Sequence, residues 1–190
     1  MIVFIVLLIF FISTTLIANY INSANLVTIP PDFYGTSKEV DINEFETFLN
    51  ESNISIYLPT IIPNELNLTA IYLMENPFIA IVVYSAESNK DYKTAELNVQ
   101  ISMAYHVPNY DELVSNIQNP EIETALEINT WPVLVNEKAS KGGDSSAIAK
   151  WGEYTVIAMS WIQNNEYLIN CPIFTFSDVV TLVENMQPFC

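Results

Sequence analysis

Hydrophobic positions fall into two regimes along this chain. Residues 1–21, MIVFIVLLIFFISTTLIANYI, are apolar almost without interruption, with only Ser13, Thr14, Thr15 and Asn19 breaking the run and no charged side chain. About 20 such residues in helical rise cross a hydrocarbon core of about 30 Å, so the stretch predicts one transmembrane helix. It has no polar face to meet water, which argues against a helix laid on the core of a soluble domain. Beyond residue 40 the pattern breaks into short segments of alternating or helical period, separated by Pro, Asn and acidic turns.

A cleaved secretory signal would need a basic n-region, a shorter apolar core and a small-x-small site. Here the n-region has no Lys or Arg, and Asn22-Ser23-Ala24 places Asn where a small residue is preferred. The segment is therefore expected to be retained as an anchor, and the packing helix of a surface filament is the alternative. Lipid gives no hydrophobic drive to helix association, so specific contacts in a bilayer favour small or polar residues. Ser13, Thr14 and Ala18 form such a patch and are the expected contacts to a partner helix.

Residues 22–40, with Pro30-Pro31 and Gly35, read as a linker, and residues 41–190 as one extracytoplasmic domain. Asp41 and Glu44 have capping-box spacing ahead of Phe45, Phe48 and Leu49, which predicts a short helix ending near Asn50. Strands follow at 68–74 and 78–86, hinged at Glu75-Asn76-Pro77. At 96–103, Leu97, Val99, Ile101 and Met103 alternate with polar residues, as in a half-buried strand with one wet face. Asn109 and Glu112 cap a second helix, and 121–129 reads as either a helical turn or a loop. Trp131 opens a strand to residue 135, and 138–146 with Gly142-Gly143 reads as the most flexible loop. Strands 154–162 and 166–171 are expected to turn on Asn164-Asn165, and Thr175 or Ser177 to cap a last helix bearing Val179, Leu182, Val183 and Met186. The class that results is α+β: an N-terminal transmembrane helix, then a mainly antiparallel sheet with a few short helices packed on one face.

Charge narrows the setting. The first charged residue is Asp32, and the chain carries a formal net charge of −16 with six Lys and no Arg. No basic patch can be assembled, which excludes nucleic acid as a partner. Missing Arg also argues against bidentate phosphate or carboxylate clamps. A short N-terminus ahead of a long acidic domain suggests a single-pass protein of the cytoplasmic membrane with its C-terminal domain outside. The expected partners are membrane lipid and proteins of the membrane or envelope, with self-association if the filament alternative holds.

From about residue 54 to 186 the order of elements resembles an extracytoplasmic domain family of no agreed activity. Its members follow a single N-terminal anchor in bacterial and archaeal envelope proteins, some associated with anti-sigma-factor or sporulation functions. The matching pieces are Tyr57-Leu58-Pro59 with Ile62-Pro63, Ala80-Ile81-Val82-Val83-Tyr84, Leu97-Asn98-Val99-Gln100-Ile101, the stretch 161–167, and the helix 178–186. Asn64-Glu65-Leu66 stands where the family often has Gly and an aromatic. The resemblance implies architecture and envelope location, not a reaction.

No catalytic signature emerges. The sole histidine, His106, lacks a second His or a nearby Cys, and no Gly-rich phosphate loop, H-E-x-x-H or G-x-S-x-G occurs. No catalytic residue, metal site or cofactor is assigned, and the chain is read as a non-enzyme. Trp131, Trp151 and Trp161 read as sheet anchors before they read as a sugar platform, with Trp151 the most exposed. Three N-x-S/T sequons mark Asn50, Asn53 and Asn67 as candidate glycosylation sites, Asn67 foremost because it precedes a strand in a polar bend. Cys171 and Cys190, the only cysteines, are expected to pair in an exported chain, adding about 3 kcal/mol by loop closure.

Overall fold

A computed structural model describes residues 33–140 and 145–189, which belong to one compact unit. Residues 1–32, with the expected membrane helix and its Ser13, Thr14 and Ala18 contacts, lie outside the described residues. Among the described residues no helix is long and apolar enough to cross a membrane.

The chain forms α1 (Phe33–Thr36), β1 (Lys38–Val40), α2 (Ile42–Glu51), β2 (Ile56–Pro59), a 3-10 turn (Pro63–Glu65), β3 (Asn67–Met74), β4 (Ile79–Ser85) and β5 (Leu97–Met103). It continues with α3 (Tyr110–Asn116), β6 (Glu123–Ile128), β7 (Trp131–Ser140), α4 (Ser145–Trp151), β8 (Tyr154–Ile162), β9 (Asn165–Cys171), α5 (Phe176–Glu184) and β10 (Met186–Phe189). Eight strands pair antiparallel in the order β1-β3-β4-β5-β9-β8-β7-β6, and β2 and β10 form a separate antiparallel ribbon. This is the expected α+β class with a mainly antiparallel sheet and short helices.

Two helices start where the sequence predicts, and of the two candidates Thr175 and Ser177 it is Thr175 that caps the third. Asp41, Asn109 and Thr175 each accept from the N3 backbone N–H while Glu44, Glu112 and Asp178 reach back to the cap's own N–H. Each box satisfies donors that the first helical turn would otherwise leave bare.

The sheet is buried on both faces, and helices cover both, in place of the one covered face expected. All seven residues of β4 are buried, and a continuous apolar run is what a doubly covered strand needs. On one face Ala80, Val82, Val99 and Ile169 meet Phe45 and Leu49 of α2, Val179, Leu182 and Val183 of α5, and Ile56 and Met186 of the ribbon. On the other face α3 sets Leu113 over Trp161 and Ala125, with Leu134 and Met159 beside them.

Several boundaries moved for physical reasons. The stretch read as linker ends in structure: Lys38–Val40 pairs with Ile71–Leu73 as the sheet edge. Residues 121–129 supply β6, because Asn129 and Thr130, at φ 53° and 70°, make the two-residue turn whose twist suits a hairpin to β7. The β8–β9 turn is Gln163-Asn164, one residue earlier than expected, and Asn165 is instead buried and donates to Ser55 O at 2.7 Å. Of the stretch read as flexible loop, residues 138–140 extend β7 and 145–146 open α4.

Candidate functional site

The most distinctive local chemistry lies where β5 stops. Alternation along β5 puts Glu96, Asn98, Gln100 and Ser102 on the face opposite Leu97, Val99 and Ile101, and all four polar residues are buried. The wet face expected for this strand is therefore a buried polar column. Asn98 donates to Tyr92 O at 2.7 Å, and next to it Thr155 donates to Asn170 Oδ1 at 2.9 Å.

At the end of the column Ser102 faces Glu166 on β9, and Glu166 faces Trp161 on β8. Trp161 Nε1 donates to Glu166 Oε2 at 3.1 Å. Glu166 Oε1 and Ser102 Oγ are enclosed without a hydrogen-bond partner among the described residues. Burial raises the Glu166 carboxyl above its usual range, and the Trp161 bond offsets this only in part. A carboxyl whose folded pKa is raised holds its proton more tightly in the native state. Its contribution is therefore most favourable at acid pH and is lost as pH rises from 4.5, the reference value, through the folded pKa. Glu166→Gln keeps an acceptor for Trp161 and offers an N–H to Ser102. Thermal unfolding should give this variant a higher Tm than wild type at pH 7, with the gap closing below about pH 4.5. A lower Tm at pH 7 would refute the assignment.

Beyond Met103 the chain turns outward, fixed by Ala104 N–H donating to Asn164 O at 2.8 Å. The loop then enters α3. One oxygen of Glu112 accepts the Asn109 N–H at 2.9 Å and sits 3.2 Å from His106 Nε2. The backbone N–H of Asn109, then His106, hold the Glu112 carboxyl below the usual range. The pair is exposed and ties the loop to the helix. In the same stretch of chain Met103, Tyr105, Val107, Tyr110 and Val114 are all exposed.

Elsewhere, an open groove of about 500 Å³ runs along the sheet edge between residues 39–42 and 68–71. Among the described residues no three His, Cys, Asp or Glu side chains gather as a metal would need. The three tryptophans have different partners. Trp131 meets Tyr57 edge-on at 5.3 Å, Trp151 is half-buried and donates to Thr94 O at 2.8 Å, and Trp161 lies beneath α3.

Asn50, Asn53 and Asn67 are all exposed, on the last turn of α2, just past it and at the start of β3. The Thr69 hydroxyl of the third sequon donates toward Asn89 O at 2.7 Å. Cys171 is wholly buried, which pushes its thiol pKa up, and Cys190 lies outside the described residues, so the expected pairing does too.

Sequence reasoning did not single out the buried polar column or the exposed stretch 103–114. Their signals were the near-continuous apolar run of β4 beside β5 and the unpatterned run Ala104-Tyr105-His106-Val107-Pro108-Asn109-Tyr110. Compared with models of protein families, with curated proteins and with solved structures, the chain matches none.

Proposed function

We propose that this chain is a non-catalytic, membrane-anchored module whose α+β domain stands outside the cytoplasmic membrane and binds other proteins or supports a membrane complex. The carrying observation is the division of the chain: a 21-residue uncharged apolar run, then a remainder that holds every charged side chain and a net charge of −16. The run suits a bilayer. The acidic domain repels anionic lipid and nucleic acid, which leaves proteins as its natural partners. The concentration of exposed large hydrophobics within 103–114 supports a binding role, since exposed apolar surface on a folded domain is where partners dock.

Extraction tests the reading. The full-length protein should stay with membranes through an alkaline carbonate wash and be released only by detergent. Recovery in the carbonate supernatant overturns it. Regular helical fibres of the intact protein by electron microscopy favour instead a filament subunit with residues 1–21 in the fibre core.

A further inference from the structure

We infer that the end of the sheet at Met103 is a docking surface for a positively charged polypeptide segment that carries an apolar or aromatic side chain. This deepens, and rests on, the interaction-module reading above. Among the described residues, five of the eleven exposed large hydrophobics fall within residues 103–114: Met103, Tyr105, Val107, Tyr110 and Val114. Tyr105 is entirely exposed, at 106%. Tyr110 and Val114 are four residues apart on α3 and share a face. The His106–Glu112 contact at 3.2 Å holds the preceding loop against that helix, so loop and helix present their side chains together.

Charge selects the occupant. Between Met103 and Val114 there are two acids and no Lys or Arg. Asp111 and Glu112 stand within the patch. Glu127 lies at the same end of the sheet, because the turns after Ile128 and Ile162 lie at the end of the sheet where Met103 faces Asn165.

The lysines are elsewhere. Lys38 stands at this end of the sheet but on β1, three strands from β5, and is engaged 3.0 Å from Glu44, Lys90 pairs with Glu39, and Lys150 lies 3.8 Å from Glu87. Lys93 precedes β5, and Lys138 is far along β7 from Trp131, each about 20 Å down the strands from the patch. Lys141 is outside the described residues. A second copy of this chain would bring the same net charge of −16, and an anionic bilayer would also be repelled. Lys or Arg flanking an apolar side chain would meet the acidic rim while that side chain covers the exposed rings.

The test is photo-crosslinking of the full-length chain in membranes of cells that make it. One sample carries Tyr105→p-benzoylphenylalanine, and a second carries Tyr154→p-benzoylphenylalanine at the opposite end of β8, where Tyr154 is exposed. The probe at 105 should link to a Lys/Arg-rich segment of a different polypeptide. Adding Asp111→Lys, an exposed change that leaves the capping box intact, should lower that adduct about five- to tenfold. The inference is overturned if the probe at 105 gives only lipid adducts, only links to a second copy, or a yield that Asp111→Lys leaves unchanged. Polypeptide adducts at 154 alone remove this surface and leave the interaction module standing. None at either position removes both.

Discussion

Tyr167→Ala should destabilise the domain by about 3–5 kcal/mol, the range for deleting a buried aromatic ring. Tyr167 is among the largest of the fully buried side chains and sits at 0% exposure on β9. Its ring joins the core beneath α2, α5 and the ribbon. Its hydroxyl accepts the backbone N–H of Tyr57 on β2 at 2.8 Å, and Gln163 donates to the Tyr57 hydroxyl at 3.0 Å. One residue thus fills the core and fastens the two-stranded ribbon to the eight-stranded sheet. Tyr167→Phe keeps the ring and leaves the Tyr57 N–H without its acceptor, a loss of about 1–2 kcal/mol. In a domain of this size the Ala change corresponds to a fall in Tm of roughly 10–15 °C. Urea and thermal unfolding of both variants should rank wild type above Phe and Phe above Ala. An Ala variant within about 1 kcal/mol of wild type would mean that the ring packs in a site able to collapse around its loss.

Deletion of residues 1–25 should convert a detergent-requiring protein into a soluble, folded monomer. The expected membrane segment holds no charge, whereas the described residues have their own core, with α2, α5 and the ribbon closing one face of the sheet. A surface of high net charge resists self-association once the apolar run is gone. If the intact protein leans on a partner helix through Ser13, Thr14 and Ala18, the truncated domain should also leave that complex. Light scattering on the truncated protein and its far-UV circular dichroism check the outcome. An aggregated or unfolded product would show that the segment belongs to the domain's core. Fibres of the intact protein that vanish on deletion would assign residues 1–21 to filament packing.

What the sequence determined by itself was local. Asp41 and Asn109 each carry a Glu three residues on, and a capping box needs only that spacing, so those two helix starts were legible, while the third was narrowed to Thr175 or Ser177. The apolar run of β4 and the alternation of β5, β8 and β9 fixed strands by period, and the absence of regular β-α-β alternation fixed the class. Tertiary structure decided what depends on neighbours. Asn98, Gln100 and Ser102 look solvated in isolation, but β5 lies between β4 and β9 with both faces covered, so they became a buried column. Residues 123–128 have no strong period, and they are a strand because β7 offers a ladder and Asn129-Thr130 accepts positive φ. The exposure of Met103, Tyr105, Tyr110 and Val114 likewise depended on where α3 packs beside the sheet, with Leu113 over Trp161. Caps and periods are contacts between residues a few positions apart, while burial of a polar column and exposure of an apolar end are set by which distant strands and helices become neighbours.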